Sequence, residues 1–412
     1  MKDQINPINF PQTAYPKPDA YNALSMPVYN SAAYEFDSAE QMESAFAGKT
    51  AEFAYSRISN PTVQHFENTV KDMSQASSVT ALNSGMAAIS NTIIAIAQNG
   101  KNIVTTRHLF GNTYSFFANT MAAFGVETRF CDLDNSEEVE RNIDENTCCV
   151  FLEIISNPQM EVINLKALSD ICKTKKTPLI ADTTLIPFHV FKAQEHGIDI
   201  EIISSTKYIS GGATSIGGLI IDYGMFDWTN SSKLYLLAKD FGKGAFTLKL
   251  KKEIHRNLGA YMTPQVAYMQ TLGLETLALR YEKATSTCAE LALKLQSIEG
   301  VESVNYNGLQ DNKYHNISKL QFGKNPGAML TFNLASKEEC YIFLNKLKVI
   351  KRATNLFDNK TLAIHPASTI FGNFNEELRK QMNVSDKTIR ISVGLEDFDT
   401  LYADFVQAIG NL

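Results

Sequence analysis

Residues 200–219 read IEIISSTKYISGGATSIGGL. An apolar run of buried-strand length ends at Ser204-Ser205-Thr206, and Lys207 follows at once. Glycines then cluster at Gly211, Gly212, Gly217 and Gly218. In an open α/β sheet, ligands sit beyond the carboxyl ends of the strands. A lysine at that place, among hydroxyls and glycine-rich backbone, can form a Schiff base beside an anion cradle. A lone lysine is ordinarily a solvated surface charge, so the reading depends on its surroundings.

Three other segments supply them. Ala181-Asp182 closes the preceding strand at the same sheet edge, about 25 positions upstream of Lys207. A carboxylate there can pair with a protonated ring nitrogen. Ser84-Gly85-Met86 falls at a strand-to-helix turn, where free N–H groups and the helix dipole favour a phosphate. Asn157-Pro158 follows a strand that ends at Glu153, within reach of a ring hydroxyl. A lysine, a carboxylate for a ring nitrogen and a helix N-terminal phosphate seat together describe pyridoxal phosphate binding.

The pattern around these segments is α/β from about 61 to 255. Strands are expected at 79–82, 102–105, 126–130, 148–153, 178–182, 200–204 and 218–221. Helices are expected at 85–97, 113–124 and 165–175. Such alternation implies a mostly parallel sheet with helices on both faces. From 256 to 412 the character changes to a smaller α+β domain. One long helical stretch, 264–295, precedes strand-like segments at 301–306, 327–334 and 361–364 and helices at 337–347 and 398–409. Residues 1–60 lack periodicity and carry Pro7, Pro11, Pro16, Pro18 and Pro27. They read as an extended arm, and Tyr15, Tyr21, Tyr29, Tyr34 and Phe36 favour its docking on another surface.

Composition narrows the function. The chain has 412 residues, with 38 basic and 44 acidic side chains for a net charge of −6. A nucleic-acid partner is not expected, because phosphate neutralisation needs a basic excess. Hydrophobic residues at 44% exclude global disorder. No apolar segment is long enough for a membrane span, no signal segment is read at the N-terminus, and a cytoplasmic location is expected. The six cysteines show no metal-ligand spacing, so they read as reduced thiols and no metal site is expected.

The chain resembles the Cys/Met-metabolism branch of fold-type-I pyridoxal-phosphate enzymes. The matching words are YSRISNPT (55–62), NSGMAA (83–88), LFGNT (109–113), SNP (156–158), ADTT (181–184), SSTKYISGG (204–212), LGLETLALR (272–280), HPAS (365–368) and RISVGLED (390–397). By this resemblance, Lys207 is the Schiff-base lysine and proton carrier. Asp182 is the partner of the pyridinium nitrogen. Gly85 and Met86 offer backbone N–H groups to the phosphate, with hydroxyls from Ser204 and Thr206. Tyr55 and Arg57 resemble residues donated to the phosphate of a neighbouring subunit, and Tyr55 or Lys207 has to cover the role of leaving-group acid. Phe110 takes the place of the ring-stacking aromatic, Asn157 contacts the ring hydroxyl and Thr184 packs beneath the ring. Arg390 clamps the substrate carboxylate through its planar fork. The resemblance also implies a homotetramer, a dimer of dimers with shared active sites.

The departures from the family pattern steer the choice of reaction. The stacking aromatic is ordinarily a tyrosine, and Phe110 has no hydroxyl to protonate a leaving group. Methionine γ-lyases ordinarily have a cysteine where this chain has Asn112. Gly212 and Asn355 replace a histidine and a serine. LFGNT and HPASTIF look most like O-acetylhomoserine sulfhydrylases. The expected reaction is γ-replacement on O-acetyl-L-homoserine, with sulfide or methanethiol displacing acetate to give homocysteine or methionine. Acetate needs less acid help to leave than a thiolate does. Methionine γ-lyase and cystathionine γ-synthase are the alternatives, and a non-catalytic pyridoxal-phosphate-binding protein is a remote one.

Overall fold

The computed structural model describes residues 21–324 and 326–410. The first part of the expected arm, with Pro7, Pro11, Pro16, Pro18 and Tyr15, lies outside the described residues.

The larger sheet has seven strands: β1 (Ser78–Leu82), β2 (Asn102–Thr105), β3 (Glu127–Phe130), β4 (Thr147–Glu153), β5 (Leu179–Asp182), β6 (Ile200–Ile203) and β7 (Gly218–Asp222). Their order is β1-β7-β6-β5-β4-β2-β3. Strands β2 to β6 pair in parallel, whereas β7 is antiparallel to both β1 and β6. The reason lies in the connection. The segment between β6 and β7 holds the lysine loop and no helix, and a parallel return needs a longer crossover. The sheet is thus mostly parallel, as expected from the alternation, with β7 as its antiparallel member.

Both faces are covered, so successive strand residues are apolar whichever way they point. Phe151, Ile180, Ile200 and Ile202 face one core with Ile89 and Ile93. Val150, Leu152, Leu179 and Ala181 face the other with Phe66 and Val70.

The smaller sheet takes β8 (Ser303–Asn305), β9 (Met329–Asn333), β10 (Lys351–Arg352), β11 (Leu362–Ile364) and β12 (Thr388–Ser392), in the order β10-β11-β12-β9-β8. Only the β10–β11 pair is parallel. The expected 264–295 helix is two helices, Pro264–Glu275 and Leu277–Leu295, broken at Thr276.

Three helices matter for the entry of the chain. These are α1 (Ala39–Phe46), α2 (Pro61–Ser74) and α3 (Gly85–Ile96). Helix α1 interrupts the segment read as an extended arm. Ser38 caps it, and none of its residues is buried. The segment before α2 is docked through hydrogen bonds. Thr62 Oγ1 donates to the Pro27 carbonyl and accepts from Tyr29 N–H, and Asn60 Nδ2 donates to the Tyr29 carbonyl. No helix among the described residues is long and apolar enough to cross a membrane.

Candidate active site

A cavity of about 690 Å³ opens at the carboxyl edge of the parallel strands, within the size range of small-molecule sites. Ten of the twelve residues singled out from sequence line it: Gly85, Met86, Phe110, Asn157, Asp182, Thr184, Ser204, Thr206, Lys207 and Arg390. Tyr55 and Arg57 do not. Tyr55 is 42% exposed. Arg57 lines a smaller hollow of about 210 Å³. There its Nη1 donates to the Arg256 carbonyl at 2.5 Å.

The lysine loop is held from behind. Gly211 has φ +71°, in the left-handed region that favours glycine. The Arg280 guanidinium lies where a side chain on Gly211 would go. Arg280 donates to the Tyr208 carbonyl at 2.7 Å and to the Gly273 carbonyl at 2.6 Å. The Tyr208 ring stacks on Phe357 at 4.0 Å between centroids. These contacts give LGLETLALR a structural task in fixing the loop that carries Lys207.

Lys207 Nζ donates to Asn355 Oδ1 at 2.8 Å. Burial, with the Arg390 charge, pulls its amine down to about 8, against the opposing pull of Asp182. Asp182 Oδ1 accepts the Thr184 N–H at 2.9 Å. Burial raises its carboxyl, while Thr184 and Lys207 oppose that rise. Thr184 Oγ1 accepts the Ser204 N–H at 2.8 Å, tying the ends of β5 and β6 together.

Arg390 enters from β12, 2% exposed. Its Nη1 donates to Asn157 Oδ1 at 3.1 Å, and Nη2 donates to the carbonyls of Thr354 and Asn355 at 3.3 Å. Nε has no partner. The acids nearest in sequence are spent elsewhere: Glu396 accepts from Thr361, and Asp397 caps the last helix. Burial alone lowers the guanidinium to about 9.

The donor set fits pyridoxal phosphate. Ser84 caps α3 through Ala87 N–H, and the first N–H groups of a helix have no acceptor within it. A Cβ on Gly85 would lie 2.8 Å from Ser204 Cβ, and one on Gly218 would lie 2.0 Å from the Ser84 carbonyl oxygen. The two glycines thus let β7 and the Ser204 hydroxyl approach the turn and leave a small cradle at a positive helix end. Thr206 is less free, since its hydroxyl is engaged with Gly217 O and N–H. A ring between this cradle and Lys207 would have Asp182, Asn157, Thr184 and Phe110 around it, since all four line the same cavity.

Sequence reasoning overlooked two residues. Asn355, noted there only as a departure, contacts both Lys207 and Arg390. Glu153, read only as a strand end, lies beside Asp182 and accepts the Phe110 N–H at 2.7 Å. Asn112, weighed in the choice of reaction, is exposed and does not line the cavity. His365 is tied up structurally between Ser368 and the Asp386 carbonyl.

Residues 12–410 match the family described as Cys/Met metabolism PLP-dependent enzyme. An O-acetyl-L-homoserine sulfhydrylase of Corynebacterium glutamicum is 32% identical over 93% of this chain and 92% of its own length. An L-methionine gamma-lyase of Fusobacterium nucleatum subsp. polymorphum is 33% identical over 94% of each. The solved O-acetylhomoserine sulfhydrylase of Wolinella succinogenes, described in its methionine biosynthetic pathway, is 43% identical with a TM-score of 0.76. It covers 86% of this chain and 98% of its own. The fold is that of the type-I pyridoxal-phosphate enzymes, and the chain belongs to the Cys/Met metabolism family of PLP-dependent enzymes.

Proposed function

We propose that this enzyme catalyses γ-replacement on O-acetyl-L-homoserine, with sulfide or methanethiol displacing acetate to give homocysteine or methionine. The sulfhydrylases of Corynebacterium and Wolinella support this reading. When bound, pyridoxal phosphate supplies the covalent link to the substrate amine and the electron sink that lets Cα and then Cβ lose protons. The chain's own residues do the rest. Arg390 receives the substrate carboxylate on its fork, with Nε unclaimed by any protein group. Asp182 holds a proton at the ring nitrogen. Lys207 anchors the cofactor and then, with its amine near neutrality, takes the Cα proton on Nζ. Gly85, Met86 and Ser204 seat the phosphate, with Thr206 once it turns from Gly217. Asn157 meets the ring hydroxyl, and Thr184 lies beneath the ring.

The observation that carries the choice of reaction is the aromatic wall. Phe110 lines the cavity where a tyrosine would bring a phenol. Acetate needs little help from a positioned acid to leave, whereas a thiolate benefits from one by about 10²–10⁴-fold. Phe110→Tyr should therefore raise methionine cleavage more than it raises sulfhydrylation, measured as kcat/KM for each. An equal effect on both would remove the argument.

Tyr55 and Arg57 complete a neighbour's site in this reading. Both lie off their own chain's cavity, and Tyr55 is exposed beside the Arg57 guanidinium, 5.3 Å above its ring. A homotetramer built as a dimer of dimers, working in the cytoplasm, is part of the proposal. So is the division into an arm to residue 60, a cofactor domain over 61–255 and a C-terminal domain over 256–412.

A further inference from the structure

Glu153 closes β4 as Asp182 closes β5, and the parallel register sets the two opposite each other. Neighbouring strands lie about 4.8 Å apart, and paired residues project to the same face. Both side chains line the cavity. Glu153 is 8% exposed, and its Oε1 accepts the Phe110 N–H at 2.7 Å. Among the described residues no lysine, arginine or histidine forms an ion pair with it. Of the cavity's two cations, Lys207 acts on Asp182, and Arg390 is held by Asn157 and two carbonyls. Two buried carboxylates at such spacing do not both ionise. Asp182 is the better site for the charge, because the Thr184 N–H and Lys207 both favour its anion.

We infer that Glu153 is a positioning residue that works as a neutral carboxylic acid, holding the Phe110 backbone while leaving Asp182 as the sole anion beside the ring nitrogen. This rests on the proposed role of Asp182. Burial and the Asp182 charge push the Glu153 carboxyl well above the usual carboxylate range, outweighing the opposing pull of the Phe110 N–H. The arrangement separates two tasks that adjacent acids would otherwise confuse. Glu153 Oε1 fixes where the aromatic wall begins. Its proton removes a second negative charge that would compete for the ring nitrogen's proton.

The test compares Glu153→Gln, Glu153→Ala and Asp182→Ala, each reconstituted with pyridoxal phosphate. Glutamine keeps a neutral acceptor for Phe110, and alanine does not. Cofactor retention in Glu153→Ala should fall by about tenfold or more, the effect of leaving a buried N–H unpaired. Glu153→Gln should restore retention to within about threefold of the parent. The pH midpoint of the bound cofactor's visible band should move by less than about half a unit in Glu153→Gln. Removing a charge at about 5–10 Å would move it by roughly one to two units at an effective dielectric of 20. The infrared difference between parent and Glu153→Gln should contain a protonated-carboxyl band. A midpoint shift of about a unit or more in Glu153→Gln, or retention as poor as in Glu153→Ala, overturns the inference. Asp182→Ala separates this from the underlying reading. If that variant keeps the parent's midpoint, the ring-nitrogen role of Asp182 fails, whatever Glu153 does.

Discussion

Replacing Arg390 with methionine should abolish most turnover without costing the fold. Arg390 is buried and faces no carboxylate among the described residues. Burial lowers its guanidinium to about 9, which corresponds to ~5 kcal/mol against the charged form. Because the folded value lies below the unfolded one, that cost is in force at neutral pH. It fades only as pH rises through about 9. Three hydrogen bonds to neutral acceptors return ~1 kcal/mol each. Methionine fills similar space without a charge to desolvate. The cofactor-free variant should then range from unchanged to about 2 kcal/mol more stable by denaturant titration. Catalysis should move the other way. Two charge-assisted bonds to a substrate carboxylate are worth ~1.5–3 kcal/mol each. Their loss lowers kcat/KM for O-acetylhomoserine by roughly 10²–10⁴-fold. A change of less than about tenfold in kcat/KM, or a clear loss of stability, would mean that Arg390 is a structural ion and not a substrate clamp.

The other predictions follow from single features of the site. Capture of pyridoxal phosphate by the cofactor-free protein should speed up as pH rises through about 8 and then level off, because Lys207 must be neutral to react. Borohydride reduction and peptide mapping should find the pyridoxyl group on Lys207, and a label on another lysine would refute the assignment. Gly218→Ala should destabilise the protein by about 3 kcal/mol or more and weaken cofactor retention, since its Cβ would meet the Ser84 carbonyl. Parental stability in that variant would show that the cradle is not as tight as described. Mixing inactive Arg57→Ala and Lys207→Ala proteins should restore part of the activity, because one hybrid site regains both residues; no recovery from a verified mixed oligomer would place Arg57 outside the shared site.

The parts of the structure legible in sequence are those where one segment carries its own signal. The strand Ile200–Ile203 is apolar except at the buried Glu201 because both sheet faces are covered, and its abrupt end at Ser204 announces the loop with Lys207. Asp182 and Ser84 stand at element ends for the same reason. What escaped depends on partners distant in sequence. The direction of β7 follows from the missing crossover helix, which the apolar pattern of the strand does not report. Helix α1 buries nothing, so only its Ser38 cap and Gln41 could reveal it. Strand β12 carries Arg390 between two isoleucines, and the sequence shows it as part of the family word RISVGLED and not as a strand. Glu153 and Asn355 became visible as site residues only when β4 met β5 and the 354–359 loop met Lys207.

The most direct test of the central claim is a product assay on the purified, cofactor-loaded enzyme, with O-acetyl-L-homoserine plus sulfide in one arm and methionine alone in the other. The proposed function predicts homocysteine and acetate in the first arm, with kcat/KM at least about tenfold above that for release of methanethiol and an oxo acid in the second, the low end of what a missing acid costs. Equal or higher efficiency on methionine would contradict it and make a γ-lyase the better description.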